Sequence, residues 1–323
     1  VELVERLEQE QRERVVEREV ALQPLGDPHR PAALHRPVEH FDASTFATNF
    51  ASQVSDFKLS DHLGDRAEPH ECGSLATKYA LAAAVKAWTS AGFGPAQAQA
   101  GGPRSSDHVD PKRFGVYLGS GEGRMDLDNF IRSNYAGWSD ETRRIDFQKW
   151  EAAASEFLIA SRELEQEPAM CIAHVAAELG CRGPVSNCMT ACAASTQAVG
   201  EAYELIKRGD ADVMLAGGSH SMIHPLGMTG FIRLTAMSTR NDEPATACRP
   251  FDSTRDGFVM GEGAGMVILE SLDHAKKRGA NIIAEVAGFG SSADAYRITD
   301  IHPEGAGAAA AMRRALEQAG IDP

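Results

Sequence analysis

Apolar runs and helix-like spacing alternate along the middle of the chain and outline a strand, a helix and a second strand. VSNCMTA, which starts at Val185, and ADVMLAGG (211–218) are short apolar runs bounded by turn residues, a pattern typical of buried strands. Between them, CAASTQAVGEAYELIKRG has helical spacing and ends at Gly209. Since strand–helix–strand units join parallel strands, we predict that the two strands lie parallel in one sheet.

The helical pattern is clearest in LATKYALAAAVKAWTSAG, residues 75–92, where Gly92 is a typical stop signal. Its apolar stripe consists of Leu75, Tyr79, Ala82, Val85 and Trp88. FGVYLG (114–119) predicts another strand, while residues 139–179 and 305–320 are mostly helical in pattern. The alternation of the two element types therefore predicts an α/β protein.

The first 38 residues do not follow this alternation. VELVERLEQEQRERVVEREV is highly charged and predicts a solvated helix, with a partner-binding helix as the alternative. Residues 21–38 contain four prolines and predict an irregular linker. We therefore expect one domain over residues 39–323 and leave the fold of residues 1–38 undecided.

Charge and cysteine content narrow the functional class. The formal net charge of −14 argues against nucleic acid or an anionic membrane as a general partner. The chain contains no apolar run near the roughly 18 residues that span a bilayer, and its N-terminus does not resemble a signal peptide. The six cysteines form no CxxC pair, which favours reduced thiols and a cytoplasmic protein.

Two of these cysteines, Cys188 and Cys192, lie at the predicted junction of strand and helix, among small residues. The periodicity places Cys192 in the first turn of the helix and Cys188 on the strand or its turn. A helix N-terminus carries about half an elementary positive charge and unpaired N–H groups, which stabilise a thiolate and an oxyanion. Cys192 is therefore the candidate nucleophile, and two packing cysteines are the alternative.

We expect no metal site. The spacing of Cys181, Cys188 and Cys192 fits no common zinc pattern. His220 and His224 have the spacing of a zinc-binding HExxH motif but lack its glutamate, and we interpret them as loop residues.

Longer motifs resemble one family, the elongating type II class of β-ketoacyl-[acyl-carrier-protein] synthases. The resemblance runs from residue 39 to the end of the chain and implies a thiolase-like fold with α-β-α-β-α layers. The motifs that carry it are TACAAS around Cys192, GDADVMLAGGSHSMIHPLGMTGF, AMSTRNDEPATACRPFDSTRDGFVMGEGAGMVILE and HAKKRGANIIAEVAGFGSSADAY.

The resemblance implies a decarboxylating condensation in fatty-acid or polyketide biosynthesis, carried out by a homodimer without a metal or organic cofactor. Cys192 would accept an acyl group from acyl carrier protein, and malonyl-carrier protein would then extend it to a 3-oxoacyl product. Phe231 matches a position that lines the acyl pocket. Glu122 occupies a position where this class more often has an apolar residue facing the acyl chain.

The sequence also departs from the family. The family's two catalytic histidines lie in an HGT motif and a later GH motif, and none of the 11 histidines is in either context. We therefore expect the N-terminal half of the fold, truncated before the C-terminal half. The alternative is a non-catalytic partner subunit of the chain-length-factor type or an inactive fragment. Such subunits usually replace the nucleophile, so Cys192 favours the enzyme.

The expected docking region for the acidic carrier is also poor in basic residues. In GDRAEPHECGSLATK, only Arg66 and Lys78 oppose three acidic residues. The identity of the carrier is therefore left open.

Overall fold

The computed structural model describes residues 35–94, 106–121, 123, 125–298 and 300–322, together with the backbone of residues 15–20. Within these ranges the strands are β1 Val15–Val20, β2 His35–Pro37, β3 Phe50–Ser52, β4 Phe114–Ser120, β5 Trp138–Ser139, β6 Arg144–Ile145, β7 Val185–Cys188, β8 Val213–Ser221, β9 Glu262–Ser271 and β10 Ala284–Val286.

The helices in the same ranges are α1 Ser60–Leu63, α2 Leu75–Ser90, α3 Leu127–Gly137, α4 Phe147–Phe157, α5 Ala160–Leu164, α6 Pro168–Leu179, α7 Ala194–Lys207, α8 Pro225–Arg233, α9 Leu272–Lys277 and α10 Ala306–Ala319. Short 3₁₀ helices cover Gly64–His70, Pro111–Arg113, Ala191–Ala193 and Pro244–Thr246. None of the described helices is both long and apolar enough to cross a membrane.

Six strands form one mixed sheet in the order β10-β1-β9-β8-β4-β7. β7 and β8 each pair in parallel with β4, which lies between them, while the pairs β8–β9, β9–β1 and β1–β10 are antiparallel. The predicted strand–helix–strand unit is therefore confirmed, since α7 connects two parallel strands of the same sheet. The carboxyl ends of β4, β7 and β8 consequently meet at one edge of the sheet.

Side-chain alternation along β8 shows how the sheet is covered on both faces. Val213 and Leu215 belong to the core cluster that contains buried residues of α2 and α6, whereas Met214 and Ala216 belong to the cluster of α7. All four are fully buried. The continuous apolar run of this strand is thus explained by helices on both sides of the sheet.

Helix α2 is buried more completely than its sequence stripe predicts. The side chain of Ser74 accepts a hydrogen bond from the Thr77 N–H and caps the helix start. Of the predicted stripe, Leu75 is only half-buried, while alanines on the other faces, including Ala83 and Ala84, are buried as well. The helix contacts β8, β9 and α6, so small residues on nearly every side allow close packing.

The expectation of a solvated helix at the N-terminus is wrong for Val15–Val20. This segment is β1, which pairs with β9 on one side and β10 on the other. Backbone pairing with two neighbouring strands overrides the helical preference of a charged segment. The predicted linker is also wrong at His35–Pro37, which forms β2 and pairs with β3. The remaining residues of the two predictions, 1–14 and 21–34, lie outside the described residues.

The last part of the chain packs on the face of α7 that is turned away from the sheet. The Tyr203 hydroxyl donates a hydrogen bond to the Ala287 carbonyl at 3.4 Å. Phe289 packs against Gly200, where an added Cβ would lie 2.1 Å from the phenylalanine ring. Helix α7 therefore lies between the sheet and the segment that leads from β10 to α10.

Candidate active site

Cys192 lies in the 3₁₀ helix Ala191–Ala193, which continues directly into α7. Cys192 is exposed, whereas Cys188, the last residue of the neighbouring strand β7, is buried. The turn between them is sharp, since Ala191 has φ +50°, a left-handed conformation that is unfavourable for a residue with a Cβ. Such local strain is found disproportionately at functional sites. The geometry presents the thiol at the positive end of α7.

Two glycines allow the start of α7 to pack closely against the sheet. Gly119 of β4 and Gly218 of β8 are paired in register. A Cβ on Gly119 would lie 2.3 Å from the carbonyl carbon of Ala194, and one on Gly218 would lie 2.8 Å from the Cβ of Ser195. Real Cβ atoms do not approach other atoms so closely. The first turn of α7 can therefore lie this close to β4 and β8 only because residues 119 and 218 are glycines.

The buried cysteines have a different environment from that of Cys192. The Cys188 thiol donates a hydrogen bond to the Ala194 carbonyl at 3.2 Å, and burial raises its pKa. Burial also raises the pKa of Cys171 to about 12 and that of Cys181 to about 11. These three side chains are therefore held as neutral thiols at neutral pH. The predicted contrast between a strand position for Cys188 and a helix-start position for Cys192 agrees with the structure.

Phe231 lies on α8 and packs with a different group of side chains. Its ring meets Phe258 edge-on at a centroid distance of 5.4 Å. It also borders a buried cluster that consists of Ala51, Ile223, Met228, Met237 and Met260. Phe231 and Cys192 thus lie on separate elements with separate neighbours. Glu122, the other predicted pocket residue, lies outside the described residues.

A cavity of about 720 Å³ opens beside this cluster. Phe41 and Ile223 belong both to its wall and to the group around Phe231. Other described wall residues come from the start of α2, the start of α3 and the end of β8; Cys192 is not one of them.

The two basic residues of the expected carrier-docking region are both paired with carboxylates. Arg66 donates to the two oxygens of Glu178 at 3.0 and 2.8 Å, and Lys78 lies 2.5 Å from a Glu71 oxygen. Lys276 and Lys277, in the last turn of α9, are exposed instead.

Comparison with known proteins identifies the family to which this architecture belongs. The model of the β-ketoacyl synthase N-terminal domain matches residues 26–275, and the model of the C-terminal domain of the same proteins matches residues 283–323. This chain belongs to the β-ketoacyl synthase family. The boundary between the two matches falls inside the range 39–323 that the sequence analysis treats as one domain.

Similar proteins include 3-oxoacyl-[acyl-carrier-protein] synthase 2 of Staphylococcus aureus, which is 36% identical over 88% of this chain and 64% of its own length. The chain thus spans less than two thirds of that relative. A solved β-ketoacyl synthase of Burkholderia phymatum superposes with a TM-score of 0.75 at 30% identity, over 96% of this chain and 71% of that one. The fold is thiolase-like, as the sequence resemblance implied.

A third similar structure is the AntDE:AntF complex, a type II PKS acyl-carrier protein with its ketosynthase, bound to the hexaketide. It has a TM-score of 0.74 and 29% identity, and covers 96% of this chain and 71% of that chain.

Sequence reasoning found the cysteine but missed the glycines beneath it. Gly119 and Gly218 follow buried apolar runs in two strands, and a glycine in a strand interior signals a close backbone approach. The signal was therefore present in FGVYLGS and VMLAGGS, but only the register of β4 and β8 shows that both glycines lie under the same helix.

Proposed function

We propose that this chain is the acyl-accepting part of a 3-oxoacyl-[acyl-carrier-protein] synthase and that Cys192 is its nucleophile. The observation that supports the proposal most strongly is the exposed thiol of Cys192 in the turn that begins α7, in a chain of the β-ketoacyl synthase family. The buried thiols Cys171, Cys181 and Cys188 lack this access.

In the proposed first step, the thiolate of Cys192 attacks the carbonyl carbon of an acyl thioester. The helix end stabilises the attacking anion, and a backbone N–H of the same turn donates to the oxygen that becomes negative in the tetrahedral intermediate. The carbon–sulfur bond to the carrier then breaks, and the pantetheine thiolate leaves and takes up a proton. An acyl-enzyme on Cys192 is the product of this step.

In the proposed second step, malonyl-carrier protein loses CO₂, and the resulting carbanion attacks the acyl group to give the 3-oxoacyl product. This step needs groups that stabilise the carbanion, and the sequence contains neither of the histidine motifs that the family resemblance implies for them. We therefore assign acyl transfer to the residues of this chain and condensation to the complete enzyme. Phe231 and Glu122 are proposed as residues of the acyl pocket.

The proposed donor is an acyl carrier protein. It is supported by the name of the Staphylococcus aureus relative and by the solved complex of a ketosynthase with its acyl-carrier protein. Both fatty-acid and polyketide enzymes are among the similar proteins, so the proposal covers acyl groups of either pathway. A homodimer and a reducing, cytoplasmic location complete the proposal; the six free cysteines support the latter.

The test is covalent labelling with cerulenin, a thiol-directed acyl analogue, read by intact-mass and peptide mass spectrometry. We expect one adduct on Cys192 in the unchanged chain and none in Cys192→Ala. Cys188→Ala, the matched control four residues earlier at the end of β7, should label like the unchanged chain, since the Cys188 thiol is buried. Labelling that persists in Cys192→Ala would show that Cys192 is not the reactive thiol. Absence of any adduct in the unchanged chain would favour a non-catalytic subunit.

A further inference from the structure

A cluster of three polar side chains borders the cavity, whose described wall residues do not include Cys192. Two of them, Glu165 and His174, are about nine-tenths buried, and the third, Cys72, is exposed. Cys72 follows the 3₁₀ helix Gly64–His70, Glu165 follows α5, and His174 lies on α6. One donor atom from each of the three residues lies within 4.8 Å of the other two. His174 Nε2 is 3.1 and 3.2 Å from the two Glu165 oxygens, and Cys72 Sγ is 3.8 Å from Oε1 of Glu165.

A second group of side chains fixes the orientation of His174. Its Nδ1 lies 2.8 Å from Nδ1 of His70. His70 in turn directs Nε2 towards Glu178 at 3.5 Å, and Glu178 accepts two hydrogen bonds from Arg66. Glu178 is only 3% exposed and His70 only 6%. Histidines that bind metals are typically held in this way, with the ring nitrogen that faces away from the metal bonded to an oriented partner.

One tautomer of the two histidines leaves the second ring nitrogen of His174 available as a metal ligand. When His70 directs its Nε2–H towards the Glu178 carboxylate, its Nδ1 accepts the proton of His174 Nδ1. In this tautomer the Nε2 atom of His174 carries a lone pair that faces the Glu165 carboxylate, and either a proton or a bound cation between the two groups makes the contact favourable. Both side chains are about nine-tenths buried, so water screens the interaction between a cation and the Glu165 carboxylate only weakly.

The chemistry of the donors indicates which cation fits. A thiolate, an imidazole and a carboxylate together form a set that suits Zn²⁺ and similar divalent transition metals better than Mg²⁺ or Ca²⁺, which prefer oxygen alone. Cys72 and Glu165 also line the cavity, so an ion held by them would have an open coordination position and a route of entry.

We propose that Cys72, Glu165 and His174 bind one zinc-class divalent metal ion, oriented through His70 and Glu178. Binding transfers the thiol proton of Cys72 to solvent. A divalent cation bound to sulfur favours the thiolate form of a cysteine, so the thiolate of Cys72 would form together with the metal complex. The site is separate from the reaction proposed for Cys192.

The first experiment is equilibrium dialysis of the chain against Zn²⁺ followed by elemental analysis. We expect one bound ion per chain in the unchanged protein and in Cys248→Ser, the matched control at another exposed cysteine. Cys72→Ser and His174→Gln should lose the ion or bind it at least about tenfold more weakly, and His70→Ala should bind it roughly 10–100-fold more weakly. Circular dichroism of each variant without metal checks that the fold is retained.

The second experiment replaces zinc with Co²⁺ and records the absorption spectrum. A thiolate ligand gives a sulfur-to-cobalt charge-transfer band in the near ultraviolet, which should be present in Cys248→Ser and absent in Cys72→Ser. The proposal is wrong if the unchanged chain binds no stoichiometric ion, if Cys72→Ser keeps the band, or if Cys192→Ala abolishes binding. In the first case the cluster is a buried hydrogen-bond chain only.

Discussion

Gly119 and Gly218 face the first turn of α7 from two neighbouring strands. The atoms that an added Cβ on Gly119 would approach are backbone atoms of Ala194 and Ser195, the nearest at 2.3 Å, and these cannot rotate away as a side chain could. The distance of Cys192 from the sheet is therefore set by the absence of a side chain at these positions.

Gly119→Ala is predicted to lower the free energy of unfolding by about 1–3 kcal/mol, the usual cost of overpacking a core. It should also slow the labelling of Cys192, because the turn must move away from the sheet. Urea denaturation and the rate of cerulenin labelling measure the two effects. The control is Gly230→Ala on α8, where no atom lies within 4 Å of the added Cβ and stability should rise by roughly 0.5–1 kcal/mol. Equal stability of Gly119→Ala and the unchanged chain would contradict the close approach.

At the scale of elements, a buried carboxylate joins β9 to α9. Glu270 is 3% exposed and accepts hydrogen bonds from Arg278 at 2.5 and 2.6 Å and from His274 at 2.5 Å. Burial alone would raise the pKa of Glu270, but the bonds from Arg278 and His274 outweigh it and lower the pKa. The same contact with Glu270 raises the pKa of His274 above its usual value of 6.5.

The contact between Glu270 and His274 makes the free energy of unfolding depend on pH. The folded state holds the His274 proton to higher pH than the unfolded chain does, so the contribution of His274 is complete below about pH 6.5 and is lost as the pH rises through the raised pKa. The free energy of unfolding of the unchanged chain, relative to that of His274→Gln, should therefore fall as the pH is raised from about 6.5 through the raised pKa of His274. Urea denaturation over this range measures it, and a difference that stays constant or rises with pH would contradict the assignment.

At the scale of the whole molecule, α7 is enclosed on two sides. One side packs on the sheet through residues such as Ala202 and Ile206, and the other meets Phe289 and the segment leading to α10. The side chain of Gln318 on α10 accepts a hydrogen bond from the Phe289 N–H at 2.5 Å. The part of the chain that matches the C-terminal domain of the family is thus attached to the helix that carries Cys192 at its start.

Gly200→Ala is predicted to loosen this attachment while leaving the sheet intact, because the added Cβ would lie 2.1 Å from the Phe289 ring. Hydrogen exchange read by mass spectrometry should become faster in residues 284–322 and remain unchanged in β4 and β8. Gly265→Ala on β9 is the control, since no atom lies within 4 Å of its added Cβ. Unchanged exchange in α10 would show that Phe289 does not hold this segment in place.

The parts of the fold that could be predicted are those whose signal lies within a few residues. The strand–helix–strand unit from Val185 to Ser221 and the helix from Leu75 follow from local periodicity, and Cys192 could be placed at a helix start by the same pattern. β1 could not be predicted in this way. Its charged sequence favours a helix, and the strands that pair with it, β9 and β10, lie near the other end of the chain.

The sequence by itself determined the alternation of strands and helices, the family, and the candidate thiol, because these depend on spacing between near neighbours and on motifs read in order. Only the tertiary structure decided which distant side chains meet. It brought Gly119 and Gly218 under one helix, buried Cys188 beside Ala194, and joined Cys72, Glu165 and His174 into one cluster. Such sets depend on distances through space, which packing fixes and which spacing along the chain does not encode.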